Sequence, residues 1–550
     1  MNKTVTVILC GGKINFLNLP IKSNTSNSMI PVNGKPVISW ILEDLLAKGF
    51  NQAVLVHRSD DLHLKQFLSR TFCTKMKLDL VELNESPSIL HSLMAGLEHS
   101  NLKGAVQVIL GDTLIRDPFD KEGEYVFTHP VEDSTRWCIA ESDSSGLIVN
   151  YHDKTENPGV PFEALCGYYK LNQSAEFYNL ILNGIEKGSN QLSDVLKSYG
   201  SKFPLKSIRA EFWYDFGNIE NLLNAKRQLL QSRYFNSLFI HPVLNTITKE
   251  SEFDDKLRNE LKWYEDLPSE LSVLAPRIIT KTEKAGRLVF TQEYYGYPTL
   301  SELFLYSDLG PEDWHGILRK LFEIINELGN YKVQFSADEL REIYIKKVFQ
   351  RINQLTTNNQ YWTDILNYDT IWIDGEMYLG WPNLKDFISE IGEELVINPR
   401  IGIIHGDLCF SNILFDVNNQ IVKLIDPRGS FGKIGIYGDV RYDLAKLRHS
   451  IHGLYDYVVS DLFEISIVEN KISSKIFSNN TPEHLVETFD DFLLKLGYSV
   501  NEICFIEGCL FLSMIPLHKD NSKRQLIMFA IGIKLLNECK RVYNNQLKQL

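Results

Sequence analysis

An acid and an amide with the spacing of a phosphoryl-transfer loop lie in the last third of the chain. The segment IIHGDLCFSNILFD carries Asp407 and Asn412 between two short apolar runs that are predicted to be strands. A further strand-like run, from Ile421 to Ile425, leads into Asp426. Phosphoryl transfer needs an acid that accepts the proton of the attacking hydroxyl, and an amide and a second acid that hold Mg²⁺ on the phosphates. Asp407 is therefore the predicted base, and Asn412 and Asp426 are the predicted metal ligands.

The partners that such a site needs lie upstream. Lys249 ends a strand rich in β-branched residues, and Glu260 lies on the predicted helix that follows. A lysine held by a glutamate in this way steadies the α- and β-phosphates of ATP, so both join Asp407 as predicted catalytic residues. The run LVFTQEYYG is predicted to be a strand that leads into an adenine-binding hinge, which makes Gln292 and Tyr294 predicted nucleotide contacts.

Other polar residues near these motifs receive structural interpretations. His405 is interpreted as support for the loop, and Asp439 and Asp443 as braces for it. Lys347 and Arg351 are one helical turn apart, which favours an exposed basic face, although an anionic group of an acceptor is the alternative.

A second set of candidate residues lies in the first part of the chain. The strand-like run TVTVILC leads into Gly11 and Gly12, where backbone amides can approach phosphates or a base closely. Asp112 ends the run VILGD, and Asp215 stands just before a predicted helix. Both carboxylates are expected at the carboxyl edge of a parallel sheet, where they would hold Mg²⁺ against a triphosphate.

The elements that position these residues change in character along the chain. The first part alternates strands (QAVLVH, DLVEL, AVQVIL) with helices such as Pro36 to Lys48, which predicts a Rossmann-like α/β domain with a mostly parallel sheet. Beyond about residue 228 come short strands, a charged helix from Asp254 to Asp266, a strand from Leu288 to Tyr294 and then mainly helix. We therefore expect two domains, residues 1–230 and residues 231–550, the second of the α+β class.

The second half resembles the aminoglycoside phosphotransferase and choline kinase family over roughly residues 235–550. The matching motifs are HGDLCFSN, LIDPRG and YGDVRYDLAKL, in order and spacing. The resemblance implies a two-lobed, protein-kinase-like fold that uses ATP and Mg²⁺. Gly406 replaces the arginine of the protein-kinase loop, and neither D-F-G nor A-P-E occurs, so a small hydroxyl compound is the expected acceptor. The segment FNSLFIHPVLNTITK departs from the pattern of protein kinases because it lacks a glycine-rich loop.

The first half resembles the sugar-phosphate nucleotidyltransferases (NDP-sugar pyrophosphorylases) over about residues 3–228. The matching pieces are VILCGG, MIPVNGKPVISWILEDL, ILHSLMAGLE, ILGD, HDKTENPG, ALCGYYKL and DFGN. The resemblance implies that an NTP is joined to a phosphorylated compound with release of pyrophosphate. It also implies that Gly11, Gly12 and Lys35 bind the nucleotide and that Lys154 binds the substrate phosphate.

Three positions depart from this second pattern. Phe16 occupies the place of the catalytic arginine, Ile14 that of the third glycine and Asn27 that of the activating lysine. Loss of such cations costs several kcal/mol of transition-state stabilisation unless others replace them. Nearby candidates for replacement are Lys13, Lys22 and Lys35.

The two halves together predict a bifunctional activating enzyme. One half would phosphorylate a sugar, polyol or amino alcohol with ATP and Mg²⁺, and the other would couple the phosphate to a second NTP, giving an NDP-linked precursor for surface polysaccharide. Two alternatives stay open: a kinase whose first domain only binds a nucleotide or sugar phosphate, and a scaffold protein of glycan assembly.

Bulk properties limit the remaining classes of function. The 550 residues carry a formal net charge of -13, which argues against nucleic acid and anionic membrane surfaces as partners. The eight cysteines form no C-x-x-C pair and are expected to be reduced core thiols of a cytoplasmic protein. No signal peptide and no membrane-spanning segment are expected, so there is no predicted membrane insertion. The predicted partners are small-molecule substrates and nucleotides, and the oligomeric state, including a homo-oligomer, stays open.

Overall fold

The computed structural model describes most of the chain. Residues 1–3, 14–25, 74, 101–103, 121, 157, 231–235, 252–253, 285–286, 308, 358, 479–480 and 548–550 are not described. The departures at Ile14 and Phe16 and the candidate Lys22 lie outside the described residues. The chain divides between Leu229 and Leu230 into two compact units.

The first unit is built on a mixed sheet whose centre is parallel. Within the described residues its strands follow the order β10-β9-β11-β6-β1-β4-β5, with β8 added beside β11 and β12 beside β8. The strands are β1 Val5–Leu9, β2 Pro31–Val32, β3 Lys35–Pro36, β4 Gln52–Arg58, β5 Lys77–Leu83, β6 Val106–Leu110, β7 Thr113–Ile115, β8 Tyr125–Pro130, β9 Cys138–Ser142, β10 Ile148–Asp153, β11 Glu163–Leu171, β12 Lys206–Arg209 and β13 Trp213–Asp215.

The register of the central strands places two of the predicted site segments side by side. β1 pairs in parallel with β6 from Val5↔Val106 to Leu9↔Leu110, and also with β4. Parallel strands buried on both faces are mainly apolar, as β1 and β6 are, and their two polar residues, Thr6 and Gln107, are buried and hydrogen-bonded to each other. Because Leu9 and Leu110 are paired at the ends of the two parallel strands, the turns that follow them lie at the same edge of the sheet.

The helices of the first unit cover this sheet. They are α1 Val37–Ala47, α2 Leu62–Thr71, α3 Ile89–His99, α4 Ser174–Glu186, α5 Leu192–Gly200 and α6 Ile219–Leu230. The apolar side of α3, with Leu90, Leu93 and Leu97, joins the main core. At Gly96 an added Cβ would lie 2.7 Å from Cγ1 of Val7, so glycine is what lets α3 lie directly on β1.

The second unit begins with a four-stranded antiparallel sheet in the order β14-β15-β17-β16. The helix α7, Asp254–Asp266, follows β15 and has the predicted bounds. The strands are β14 Asn236–His241, β15 Thr246–Ser251, β16 Ile278–Lys284, β17 Arg287–Glu293, β18 Thr370–Ile373, β19 Glu376–Leu379, β20 Ile401–Ile403, β21 Ile413–Asp416, β22 Ile421–Leu424, β23 Ser430–Phe431, β24 Lys433–Ile434, β25 Tyr437–Asp439, β26 Phe463–Val468 and β27 Lys471–Ile476.

The rest of the second unit is mainly helical. Its other helices are α8 Leu300–Tyr306, α9 Pro311–Gly329, α10 Ala337–Arg341, α11 Lys347–Thr356, α12 Gln360–Asn367, α13 Lys385–Ile397, α14 Val440–Ile451, α15 Tyr455–Val459, α16 Thr481–Lys495, α17 Val500–Met514 and α18 Ser522–Leu547. A π-helical turn, Glu342–Lys346, joins α10 to α11. Every residue of α14 is buried, so its polar side chains need partners inside the unit.

The expectation that no stretch of the chain is long and apolar enough to span a membrane is wrong. Among the described residues one stretch, Val500–His518, has the length and apolar character of a membrane-spanning helix. It consists of α17 and the 3₁₀ turn that continues it, and most of it is buried. A helix that is apolar on all sides is also what the core of a large unit requires, and α17 packs in this way against α14 and α18.

Candidate functional sites

Two carboxylates converge at one edge of the first sheet. Asp112 follows β6, and Asp215 is the last residue of β13, whose antiparallel pairing with β7 sets Asp215 opposite Thr113. The amide of Phe216 also donates to the backbone carbonyl of Asp112 at 2.9 Å. A Cβ added at Gly217 would lie 3.3 Å from Oδ1 of Asp215 and 3.6 Å from Oδ2 of Asp112. Backbone pairing therefore brings together two acids that are far apart in sequence.

The environment of the pair disfavours two negative charges. Burial raises the pKa of Asp112. Burial and then the charge of Asp112 raise the pKa of Asp215 to about 7. Their side-chain hydrogen bonds come from amides: Asn27 Nδ2 donates to Asp112 at 3.2 Å, and Asn221 Nδ2 donates to Asp215 at 2.7 Å. Among the described residues no lysine or arginine nitrogen lies within 4 Å of either carboxylate, so the pair lacks a counter-charge from the chain itself.

This donor set fits Mg²⁺. Mg²⁺ is held in nucleotide sites by one or two carboxylates, with waters and substrate phosphates completing its shell. Within the described residues no group of three or more His, Cys, Asp or Glu converges, so this sheet edge does not form a metal site whose ligands all come from the protein. A bound Mg²⁺ would supply positive charge against a triphosphate, and it would also remove the repulsion between Asp112 and Asp215.

A cavity of about 250 Å³ lies beside Asp112. Gly11 and Gly12 form part of its wall, together with serines that follow β5 and begin α3. At Gly11 an added Cβ would lie 3.3 Å from Oγ of Ser92, so this glycine lets the backbone approach the serine side of the cavity. The guanidinium of Arg58 donates to the Gly11 carbonyl at 3.1 Å and holds the turn from behind. The cavity offers small hydroxyl and backbone groups, which suit a base or phosphates.

A second cavity, of about 190 Å³, adjoins both carboxylates. Lys154 lines it, and its backbone has φ of 50°, a left-handed conformation fixed by a 2.9 Å hydrogen bond from its amide to Trp137 O. Arg136 lines the same cavity, although its guanidinium also pairs with Glu220 at 3.0 Å. The structure thus brings the predicted phosphate lysine to the cavity of Asp112 and Asp215, and it adds an arginine that the sequence did not reveal.

The other predicted cations point elsewhere. Lys35 lies on the hairpin β2–β3, where its ammonium pairs with Glu43 and lies 3.8 Å above the ring of Trp40. Lys13 is exposed and lies 4.0 Å from Asp60. Nucleotide binding by Lys35 stays a prediction, but its contacts do not support it. Asn27, by contrast, does lie at the site, and its Oδ1 is buried without a hydrogen-bond partner.

In the second unit one lysine joins two acids from distant segments. The ammonium of Lys249 donates to Glu260 on α7 at 2.6 Å and also to Asp426. Although burial opposes its charge, the two carboxylates raise the pKa of Lys249 well above the ordinary value. Glu260 also accepts from Tyr264, whose hydroxyl oxygen accepts from the amide of Asp426 at 3.2 Å. The predicted set of Lys249, Glu260 and Asp426 therefore forms one network.

Asp407 has a cation of its own. Burial would raise the pKa of this carboxyl, but the ammonium of Lys446, 2.8 Å away, lowers it to about 2. Asn412 Nδ2 donates to the backbone oxygen of Asp407 at 2.9 Å. The amide of Ile425 donates to Asn412 O at 3.0 Å, which sets Asn412 next to the segment that carries Asp426. The loop thus presents a carboxylate that stays ionised, beside two oxygen donors that fit Mg²⁺.

Of the two acids predicted to brace the loop, Asp443 does so and Asp439 does not. Asp443, in the first turn of α14, accepts from the amides of His405 at 2.6 Å and Gly406 at 2.9 Å. His405 is fully buried, and its Nε2 contacts the carbonyl of Ile425 at 3.0 Å. Burial lowers the pKa of His405, so a neutral imidazole holds the loop. Asp439 instead caps α14 and pairs with the buried guanidinium of Arg441 at 2.6 Å.

The predicted hinge contacts lie at the end of β17. Gln292 is buried in register with Ile247 of β15, and its Oε1 has no hydrogen-bond partner. The backbone amide of Tyr294 donates to Asn245 O at 2.8 Å. The turn between β14 and β15 exposes Val243 and Leu244, so its tip is apolar.

Two features of the second site could not be foreseen from the motifs. Lys446 was not among the predicted residues, although a lysine in a helix that is buried all round was an available signal. Lys347 was interpreted as part of an exposed basic face with Arg351, and this is wrong. Its ammonium turns inward and donates to the hydroxyl of Tyr442 at 3.1 Å, whereas Arg351 contacts Gln354.

Comparison with known proteins agrees with the geometry of the first unit. Residues 5–232 match the family described as Nucleotidyl transferase. The first unit is a nucleotidyltransferase domain. This domain is 22% identical over 232 residues to the Bifunctional protein GlmU of Methanococcus aeolicus, covering 41% of this chain and 54% of that protein. It is 25% identical over 238 residues to the glucose-1-phosphate thymidylyltransferase of Xanthomonas campestris pv. campestris, covering 41% of this chain and 80% of that protein.

A solved structure gives a similar alignment. The nucleotidyltransferase domain aligns with a UDP-glucose pyrophosphorylase from Acinetobacter baumannii at 16% identity and a TM-score of 0.37, covering 42% of this chain and 94% of that one. The chain spans about half the length of the GlmU relatives that it matches. The family match over residues 5–232 and the described sheet confirm the expected α/β nucleotidyltransferase fold of the first half, with its mostly parallel sheet.

Proposed function

We propose that the chain activates a small hydroxyl compound in two consecutive reactions. The second unit would phosphorylate the compound with ATP, and the nucleotidyltransferase domain would couple the resulting phosphate to an NTP. The observation that carries this proposal is the network in which Lys249 joins Glu260 to Asp426 while Lys446 pairs with Asp407. These five residues come from five separate segments, and their types are those that phosphoryl transfer requires, which supports the proposal.

In the first reaction the acceptor hydroxyl oxygen would attack the γ-phosphorus of ATP. A new O–P bond forms as the bond between the γ-phosphorus and the β,γ-bridging oxygen breaks, and ADP leaves with that electron pair. Asp407, ionised because its pKa is about 2, accepts the hydroxyl proton and releases it to water. Lys249 holds the α- and β-phosphates, and Asn412 and Asp426 would hold Mg²⁺.

In the second reaction a phosphate oxygen of the new monoester would attack the α-phosphorus of an NTP. The new O–P bond replaces the bond to the β-phosphate, and pyrophosphate leaves. Gly11 and Gly12 form part of the wall of the 250 Å³ cavity and would contact the nucleotide. Lys154 would bind the monoester, since it lines the adjoining cavity with Asp112 and Asp215, the two acids that would hold Mg²⁺.

The product class follows from this order of reactions. An alcohol that is phosphorylated and then joined to a nucleotide is an activated donor of the kind used to build glycans. We therefore propose that the chain makes an NDP-linked precursor for surface polysaccharide or a related glycan in the cytoplasm.

The test separates the two activities in one protein. Purified protein is given ATP, Mg²⁺, a panel of sugars, polyols and amino alcohols, and each NTP, and both ADP and pyrophosphate are measured. Asp407→Ala should abolish ADP formation but retain pyrophosphate release when the phosphorylated compound is supplied. Asp112→Ala should show the reverse. Asp416→Ala, which removes an acid that caps the turn after β21, is the matched control for Asp407→Ala.

A second candidate function is a kinase whose first domain only binds a nucleotide or sugar phosphate. The observation that favours it is Asn27, a neutral amide 3.2 Å from Asp112, where the resemblance calls for an ammonium group. Pyrophosphate release that disappears in Asp112→Ala excludes this candidate. A purely scaffolding role would instead require that the protein bind no ATP in the presence of Mg²⁺.

A further inference from the structure

Three cations surround one buried phenol in the second unit. The ammonium of Lys347 donates to the Tyr442 hydroxyl at 3.1 Å, and Arg428 Nη1 donates to the same oxygen at 3.4 Å. Lys446 lies one turn after Tyr442 on α14. Burial would raise the pKa of Tyr442, but the three cations lower it to about 8. The phenol therefore lies in a strongly positive environment.

The positive charge of this cluster is only partly neutralised by the chain. Lys446 is paired with Asp407 at 2.8 Å. Within the described parts of the chain, no carboxylate oxygen lies within 4 Å of a side-chain nitrogen of Lys347 or Arg428. Burial and the neighbouring cations lower the pKa of Lys347, even though Tyr442 opposes this shift. Lys347 is partly removed from water without a counter-ion, which is costly, and an anion that arrives with a ligand relieves that cost, whereas Arg428 is itself exposed.

The cluster lies on the side of the proposed base. Lys249, the proposed phosphate lysine, contacts Asp426 and Glu260. The cluster is instead connected to Asp407 through Lys446. Lys249 thus contacts a proposed metal ligand, whereas Lys446 contacts the proposed base. An anion bound by the cluster would belong to the molecule whose hydroxyl faces Asp407.

The backbone before Lys347 departs from the regular helix. The π-helical turn Glu342–Lys346 ends at the residue before Lys347. A π turn changes the direction in which the following side chains point, and such turns are frequent at functional sites. The turn is held closely, because a Cβ added at Gly392 of α13 would lie 2.5 Å from Cγ1 of Ile345. The close packing of the π-helical turn against α13 is therefore consistent with the inward direction of the Lys347 side chain.

We infer that the phosphoryl acceptor carries an anionic group, a carboxylate or a phosphate, which binds Lys347 and Arg428 while Asp407 takes the proton of a hydroxyl on the same molecule. This inference rests on the proposed kinase function and narrows its acceptor to a hydroxy acid or a phosphorylated alcohol. The guanidinium supplies paired donors for such an anion, and the ammonium supplies a point charge.

The test uses acceptors that differ only in charge. Glycerol, glycerate, glycerol phosphate and ethanolamine are compared by ADP formation at fixed ATP and Mg²⁺. The wild type should have a kcat/KM at least about tenfold higher for an anionic acceptor than for glycerol. Comparing glycerate with glycerol phosphate distinguishes the carboxylate from the phosphate.

Variants then locate the anion site. Lys347→Met and Arg428→Gln should each raise the KM for the anionic acceptor at least about tenfold, with the KM for ATP changed less than twofold. Lys346→Met is the matched control, because this adjacent lysine pairs with Glu342 on the surface. A preference for glycerol or ethanolamine, or variants that raise the KM for ATP alone, would overturn the inference and leave the kinase function standing.

Failure of the kinase function itself has a different signature. If no acceptor yields ADP and the protein does not bind ATP with Mg²⁺, the proposed function is rejected. Calorimetric titration with inorganic phosphate and with glycerate then tests the anion site directly. Binding that is lost in Lys347→Met supports the site, whereas the absence of binding in the wild type refutes it.

Discussion

The two candidate sites place carboxylates in opposite electrostatic settings. In the nucleotidyltransferase domain Asp112 and Asp215 converge with amide partners, and burial followed by mutual repulsion raises the pKa of Asp215 to about 7. In the second unit Asp407 and Asp426 each contact a lysine, and the pKa of Asp407 is about 2. The acid pair of the first site thus needs positive charge from a metal ion such as Mg²⁺, whereas the acids of the second site are paired with lysines of the chain.

This difference separates two ways of preparing acids for phosphate chemistry. An acid pair without cations binds Mg²⁺ strongly because the ion removes a repulsion that already exists. An acid paired with a lysine stays ionised over the whole physiological pH range and can accept a proton at once. The domain with the amide at Asn27 is therefore expected to depend more steeply on Mg²⁺ concentration and on pH than the second unit.

The largest expected effect comes from removing the lysine that joins two acids. Lys249→Met should lower kcat/KM for ATP about 100-fold or more, because the phosphates lose their ammonium and Glu260 and Asp426 are left unpaired. Steady-state rates of ADP formation at varied ATP concentration measure this kcat/KM. Lys262→Met, which removes a surface ion pair from α7, the helix that carries Glu260, should have little effect. Unchanged pyrophosphate release shows that the first domain remains folded, and equal losses in both activities would contradict the assignment.

A smaller effect is expected from removing the cation of the proposed base. Lys446 is what lowers the pKa of Asp407 against the effect of burial. In Lys446→Gln the pKa of Asp407 should rise by two units or more, so the acid limb of kcat/KM moves into the range between pH 4 and 7. The kcat/KM of the wild type should be constant from pH 5 to 8, while that of the variant should fall about tenfold as the pH is lowered from 8 to 5. Lys320→Gln on the exposed side of α9 is the control. If the pH profile of Lys446→Gln is as level as that of the wild type, Asp407 is not the base that Lys446 keeps ionised.

The sequence was most informative where chemistry is concentrated in short motifs. Asp407, Asn412 and Asp426 follow strand-like runs, and Glu260 lies on a helix whose bounds, Asp254–Asp266, were predicted. The parallel edge that carries Asp112 also followed from the apolar strands β1 and β6. Local periodicity determines these elements, and their ends place the residues that follow.

The sequence was least informative where contacts depend on side-chain direction. Lys35 lies within a matching motif, but the hairpin β2–β3 directs its ammonium to Glu43. Lys347 has the spacing of a surface residue, but the π-helical turn before it directs it inward. Arg58 contacts the Gly11 turn from a segment that no motif covers, and Lys446 lies in the matching segment YGDVRYDLAKL although its contact with Asp407 is not predicted from it. The spacing of residues along the chain indicates which of them lie on the same face of a helix or strand. These contacts depend instead on how distant segments pack together.

The acid pair should also make stability depend on pH. Because the folded pKa of Asp215 is about 7 and the ordinary value is 3.8, the folded state holds a proton that the unfolded state has lost between those values. The free energy of unfolding therefore falls as the pH rises through this window, by about 4 kcal/mol. Asp215→Asn should remove that part of the fall, measured as the difference between thermal unfolding midpoints at pH 5 and 8.

Mg²⁺ sharpens this measurement. Saturating Mg²⁺ should raise the wild-type midpoint at pH 8 more than at pH 5, because the ion binds the ionised pair. The variant should respond less to Mg²⁺. Asp143→Asn, which removes an exposed acid that caps the turn between β9 and β10, is the control. Identical pH profiles for Asp215→Asn and the wild type would show that the pair is not coupled as its geometry implies.

The smallest expected effect distinguishes two lysines that lie in matching motifs of the first domain. Lys154 lines the cavity of the acid pair, so Lys154→Ala should raise the KM for the phosphorylated substrate about tenfold. Lys35 instead pairs with Glu43 and lies above Trp40, so Lys35→Ala should change the KM for the NTP less than twofold. Pyrophosphate release under varied concentrations of each substrate measures both. A large loss of NTP affinity in Lys35→Ala would mean that the hairpin β2–β3 turns toward the nucleotide when it binds, and that the domain does supply its own cation after all.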